Sequence, residues 1–207
     1  VLLRWQKSSA VLLVGEGGSG KTGIAAQLAS RLMTDNSPVL MLSANTLSRY
    51  DPPLGRLQEI VALDVPNLPE ALEALAKPGR SVTLIVDQLE SIIGTASEDA
   101  VLSLLHMVAE KDGHRVLAAC RSSDAQRWPR LRELGFSEVP SKPLTSSDVV
   151  AHLKKLGLEA PSRMLIELGS NLLNLSFLAK LVDQGTDPSG VDGEAALWDL
   201  YFDDLRE

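Results

Sequence analysis

The stretch Val11-Leu-Leu-Val-Gly-Glu-Gly-Gly-Ser-Gly-Lys-Thr22 decides the fold of this 207-residue chain. Residues 11–14 are an unbroken run of apolar β-formers, and residues 15–22 match the pattern G-x-x-x-x-G-K-[ST] in full. Residues 22–33 then repeat apolar side chains at helical spacing, with Ile24, Ala25, Leu28, Leu32 and Met33 on one face. The order strand, glycine-rich turn, helix has a physical purpose. Glycines let the backbone curl until successive N–H groups face one anion, and the helix start adds its positive end. The pattern predicts a phosphate-binding loop of Gly15, Glu16, Gly17, Gly18, Ser19, Gly20, Lys21 and Thr22. Lys21 supplies a mobile charge for the β- and γ-phosphates of a nucleotide, and the Thr22 hydroxyl is a magnesium ligand.

Outward from this loop, strand-like apolar runs recur at 38–42, 82–87, 115–120 and 137–139. Helical patterns lie between them at 69–76, 97–111 and 129–134, with Ser97 read as an N-cap and Asp112-Gly113 as a helix stop. Residues 46–66, with scattered prolines, read as loop with one helix at 55–62. Alternating strands and helices imply an α/β fold: a P-loop NTPase parallel sheet of about five strands, flanked by helices. After Pro143 no strand pattern remains. Residues 145–156, 161–168, 172–184 and 194–206 read as helices, with Thr145 and Ser146 before Asp148 in an N-cap setting. The expected division is a P-loop NTPase core over 1–143 and a small helical lid over 144–207.

Composition bounds the partners. Hydrophobic residues make up 44% of the chain but aromatics only 4%, so the core must be built from Leu, Val, Ile and Ala. A net charge of −7 argues against general affinity for nucleic acid or for an anionic membrane, and no nucleic-acid partner is expected. No apolar run approaches the roughly 18 residues of a membrane span. The single cysteine, Cys120, cannot form an internal disulfide, which fits a reducing, cytoplasmic setting; on its strand it reads as a buried small residue. The chain begins at Val1, without methionine, and reads as a piece of a longer protein. His106, His114 and His152 lie on separate segments with no metal-ligand spacing, and Trp198, Tyr201 and Phe202 form an aromatic group that packs against the lid.

A second decisive stretch is Leu84-Ile-Val-Asp-Gln-Leu-Glu90. Asp87 closes an apolar strand, the position from which a carboxylate reaches the magnesium shell of a bound nucleotide. Glu90 returns to the strand tip if the chain turns at once into a helix, and there it would orient or polarise an attacking water. Gln88 reads as a polar residue of that turn. Arg121 ends the strand 115–120 at the same sheet edge, with a permanent charge suited to gripping phosphate oxygens. No Asn-Lys-x-Asp element for guanine is present, so ATP with Mg2+ is the expected ligand pair.

Asp87-Gln-Leu-Glu90 after an apolar strand resembles the Walker B motif of the STAND class of P-loop NTPases, the signalling ATPases related to NACHT and NB-ARC proteins. There the second acid stands three positions after the aspartate, whereas in AAA+ proteins it follows directly. Val116-Leu-Ala-Ala-Cys-Arg121-Ser resembles the sensor strand of that class. Trp128-Pro-Arg-Leu-Arg-Glu-Leu and Pro143-Leu-Thr-Ser-Ser-Asp-Val resemble the segments leading into its lid. The resemblance runs over nearly the whole chain and is nearest to bacterial proteins of conflict and antiviral systems. It implies slow ATP hydrolysis, with Lys21, Glu90 and Arg121 as catalytic groups and Thr22 and Asp87 at the metal. It further implies a nucleotide-dependent switch that controls self-association through adjacent domains. STAND lids carry a proline near the adenine; the matching stretch Gly169-Ser-Asn-Leu-Leu-Asn-Leu-Ser176 has none. Either Leu172 or Leu173 takes its place, or the correspondence falls elsewhere.

Two further readings compete with the switch. One is an AAA+-type motor with continuous turnover on a polymer or protein partner; the other is a nucleotide-binding scaffold that never hydrolyses.

Overall fold

The computed structural model describes residues 8–47 and 81–204. The helices expected at 55–62 and 69–76 lie outside the described residues. By contact the chain divides into two compact units, one of residues 1–16 and 21–141, the other of residues 17–20 and 142–207.

The first unit carries five parallel strands: β1 (Ala10–Val14), β2 (Val39–Ser43), β3 (Thr83–Asp87), β4 (Arg115–Cys120) and β5 (Ser137–Pro140), in the spatial order β2-β3-β4-β1-β5. Strand β3 is buried along its whole length, as a central parallel strand covered on both faces must be. Alternate residues divide between two apolar layers. Val11, Leu13, Ile85, Leu117, Ala119 and Val139 meet Ala25, Leu28 and Ala29 of helix α1 (Lys21–Thr34). Leu12, Leu84, Val86, Val116, Ala118 and Cys120 belong to the other layer. There they meet Val101, Leu105 and Val108 of α3 (Glu98–Glu110). A short helical turn, α2 (Ala44–Leu47), follows β2. Helices α4 (Ser122–Arg127) and α5 (Pro129–Glu133) contribute Ala125 and Leu131 to the same layer as α3.

This distribution follows from chain handedness. From β1 the chain travels outward across the sheet to β2, and from β3 it steps back through β4 to β5. Right-handed crossovers in opposite directions must lie on opposite faces, so α1 covers one side and α3 to α5 the other. The carboxyl ends of β1, β3 and β4 are thereby neighbours, and there the chain delivers Gly15, Asp87 and Arg121.

Two local expectations are corrected. Met33 is not on the buried face of α1 but 66% exposed; Ala29 takes the inward place, in step with Ala25 and Leu28. Ser97 precedes α3 but does not cap it, because its backbone is already helical (φ −83°, ψ −14°) and its side chain accepts no helix N–H. A capping side chain turns back on the first turn only from an extended backbone.

The second unit is helical: α6 (Ser146–Lys155), α7 (Arg163–Gly169), α8 (Leu172–Asp183) and α9 (Glu194–Asp204). Val149, Leu153, Leu165, Leu175, Leu178, Leu181 and Leu197 form its core. Side chains define three of its helix starts. Thr145 and Asp148 form the reciprocal capping box expected before α6, and Ser162 Oγ accepts from Leu165 N–H at 3.2 Å. Asn171 Oδ1 accepts from Leu173 N–H at 2.9 Å and starts α8. Buried Asn174 donates to Glu194 Oε1 at 2.9 Å and accepts from Trp198 Nε1 at 3.1 Å, so its amide is satisfied. The aromatic group packs as expected through Tyr201, stacked on Phe177 at 4.2 Å, while Trp198 and Phe202 keep exposed edges. Among the described residues no helix is long and apolar enough to cross a membrane.

Candidate nucleotide site

Lys21 opens α1 and is 9% exposed, with Nζ donating to the carbonyls of Gly15 at 2.7 Å and Glu16 at 2.8 Å. A buried ammonium needs such oxygen partners. They also hold the charge against the loop backbone. Thr22 Oγ1 donates to Asp87 Oδ2 at 2.6 Å, bringing two residues 65 positions apart into one pair. Asp87 is 4% exposed at the tip of β3. A hydroxyl and a carboxylate oxygen side by side suit magnesium, which keeps several waters and takes only one or two carboxylates from the protein. The residues present fit that ion.

After Asp87 the chain reverses in a single step. Gln88 has φ 59° and ψ 44°, the left-handed region that non-glycine residues rarely enter, and its Oε1 accepts from Ser43 Oγ at 3.1 Å. A 3-10 turn, Leu89–Ile92, begins at once, with Leu89 and Ile92 buried as its anchors. Glu90 is thereby folded back to the tip of β4. Its Oε2 accepts from Arg121 N–H at 3.3 Å, and its Oε1 lies 3.3 Å from Arg121 Nε. The three-residue spacing of the acids thus has a local cause: the left-handed residue shortens the path back to the sheet edge. Cys120, beside this pair, is fully buried, and its thiol is pushed up to about 12, first by burial and then by the charges of Glu90 and Asp124.

Gly17–Gly20 count with the second unit, where they meet residues 171–173. Asn171 Nδ2 donates to Gly17 O at 2.9 Å, and Leu173 N–H donates to Gly18 O at 3.3 Å. Gly18 and Gly20 have φ of +73° and +81°. A Cβ at Gly18 would fall 2.3 Å from Asn171 Oδ1, and one at Gly20 would fall 2.3 Å from Leu172 Cδ1. Both positions favour glycine by conformation, and a side chain there would displace the ends of Asn171 and Leu172. Asn171, whose side chain meets the loop, is a residue that the sequence reading did not single out. An asparagine ahead of an apolar helix marks a cap, but nothing local ties it to a loop 154 positions away.

Five parallel strands, a glycine-rich loop between β1 and α1, and a Thr-Asp oxygen pair at the strand tips define a P-loop NTPase. The chain belongs to the ATPase family associated with various cellular activities (AAA), whose model matches residues 11–137, over half of its length. Comparison with curated proteins by sequence gave no match. Among solved structures, the Aeropyrum pernix Orc1 protein in complex with DNA is similar at a TM-score of 0.59 and 16% identity, covering 97% of this chain and 61% of its own. A DNA replication initiation factor is similar at a TM-score of 0.58 and 14% identity, covering 88% of this chain and 57% of its own. At such identities the likeness is one of fold, and the chain spans about three-fifths of those structures.

Proposed function

We propose that this chain is the ATP-binding and ATP-hydrolysing module of a AAA-type machine whose turnover acts on a polymer or protein partner. The observation that carries the reading is the Thr22–Asp87 pair at 2.6 Å, which aligns the end of the phosphate loop with the acid of β3. When bound there, Mg2+ would neutralise charge developing on the β- and γ-phosphates. Gly15, Glu16, Gly17, Gly18, Ser19 and Gly20 would curl around the phosphates, and Lys21 would turn its Nζ from the carbonyls of Gly15 and Glu16 to a phosphate oxygen. Glu90 would orient the attacking water, and Arg121 would meet the terminal phosphate. Unpaired, buried Cys120 suits a reducing compartment.

Steady-state ATP turnover of the chain and three variants tests this. Asp87→Asn and Lys21→Ala are expected to lower turnover about 10²- to 10³-fold. Glu90→Gln is expected to lower it about 10²- to 10⁴-fold while leaving ATP affinity near the parent value. Unchanged turnover in all three would overturn the assignment. The Orc1 structure holds DNA, which makes duplex DNA the first polymer to add. Sustained stimulation of turnover by a polymer or protein is the expected sign of a motor.

A second reading, a STAND-type switch in signalling or antiviral defence, is favoured by the separation of Asp87 from Glu90 and by the pairing of Glu90 with Arg121. In that case hydrolysis is slow and serves as a reset, and ATP binding biases self-association through adjacent domains. Assembly that follows ATP occupancy without sustained turnover would select it. Tight binding with no product, unaffected by Glu90→Gln, would select a scaffold.

A further inference from the structure

We infer that Asn171 is a positioning residue for the phosphate loop, setting the direction of the loop amides that receive the nucleotide's phosphates. The inference rests on the nucleotide reading of residues 15–22 and adds to it a residue far outside the motif.

In a trans peptide the carbonyl and the following N–H lie in one plane and point in opposite directions. Asn171 Nδ2 donates to Gly17 O at 2.9 Å, so the N–H of Gly18 is turned away from Asn171. Leu173 N–H donates to Gly18 O at 3.3 Å, so the N–H of Ser19 is turned away from the start of α8. Two successive peptide planes are therefore fixed from the carbonyl side. Leu172 fills the space beside Gly20, closing the third position of the loop. A curl of N–H groups binds an anion only if those groups converge before it arrives; otherwise their ordering is charged against affinity.

The asparagine amide suits this task because it has two ends. Its Oδ1 accepts from Leu173 N–H at 2.9 Å and from Asn174 N–H at 3.5 Å, which fixes the side chain on the helix. Its Nδ2 is then left to face the loop. The opposite amide orientation would set an oxygen against the Gly17 carbonyl and a donor against two donors. Serine or aspartate at this position would keep the cap and lose the donor to Gly17, which separates the two roles.

The test is the affinity of the chain for a fluorescent ATP analogue with Mg2+, measured beside the thermal midpoint for the parent, Asn171→Ser, Asn171→Asp, Thr145→Ala and Lys21→Ala. Asn171→Ser is expected to raise Kd roughly five- to tenfold, the scale of one lost hydrogen bond, with a midpoint near that of the parent. Asn171→Asp, with a negative charge toward the loop, is expected to weaken binding further. Thr145→Ala, which breaks the cap of α6, is expected to lower the midpoint and leave Kd unchanged. By linkage, saturating nucleotide should raise the midpoint less in Asn171→Ser than in the parent. A parent-like Kd in both Asn171 variants, with Lys21→Ala still defective, overturns the inference alone. Equal binding by parent and Lys21→Ala, or none by either, overturns the nucleotide reading and this inference with it. If Asn171→Ser does not fold, Asn171→Asp reads the same quantity.

Discussion

The phosphate loop is held in two different ways along eight residues. At its far end Lys21 and Thr22 are tied to main-chain carbonyls and to an acid on β3, within a unit built on a sheet. In its middle Gly17–Gly20 are tied to the capped start of α8, within a unit built of helices. The first set of ties uses charge, with Lys21 and Asp87 buried and Thr22 exposed; the second uses the Asn171 amide, the Leu173 N–H and close van der Waals fit. Charged partners fix the Lys21 and Thr22 side chains, whereas the amide and the methyl contact set only backbone direction. Chemistry and shape are thus assigned to separate parts of one motif.

Three tests would break or sharpen that contrast. Gly20→Ala has the largest expected effect. Its backbone at φ +81° is unfavourable for alanine, and the new methyl pushes aside the end of exposed Leu172, so a destabilisation of about 2 kcal/mol is expected. Adding Leu172→Ala should recover the steric part and leave the conformational part, a difference that denaturant melts of the two single variants and the double variant would resolve. Asn174→Ala comes next. It removes the hydrogen bonds to exposed Trp198 Nε1 and Glu194 Oε1, which water can replace, and should cost about 1 kcal/mol, seen as a lowered thermal midpoint without loss of ATP binding. An unchanged midpoint would show that the helical unit does not depend on this polar bridge.

The smallest effect at neutral pH is that of Cys120. Its folded-state value, about 12, is raised above its ordinary value of 9.0, so the unfolded chain gives up the thiol proton first. The contribution is intact below pH 9 and is lost as pH rises toward 12. The difference in stability between parent and Cys120→Ala should therefore vary with pH only in that window. Thiol reagents should react with Cys120 at pH 8 only through unfolding; fast modification of folded protein would refute its burial.

The sheet was legible because β-formers and glycine write it locally: residues 11–22 and 84–87 hold the strand, loop and acid in short order. Thr145 and Asp148 were equally legible, since a capping box is a three-residue event. Met33 and Ser97 were misread because periodicity and residue type do not say which turn of a helix meets the sheet, or where a backbone has already turned helical. The spacing of Asp87 and Glu90 pointed to the STAND class, while the family match is to the AAA ATPases; three residues can be set by one left-handed turn and carry less lineage than a whole fold. Asn171 and the Glu90–Arg121 pair were out of reach because each depends on tertiary juxtaposition. The sequence stretch 169–176 drew notice for a missing proline, and three of its residues, Asn171, Leu172 and Leu173, meet the loop.

Gln88 has a bearing on any attempt to harden this molecule. A left-handed glutamine costs about 1 kcal/mol that glycine would not, so a thermostability screen should enrich Gln88→Gly or Gln88→Asn. Glycine at that hinge would also free the crank that aims Glu90, and heat-resistant survivors of this kind should hydrolyse ATP more slowly than their ancestor.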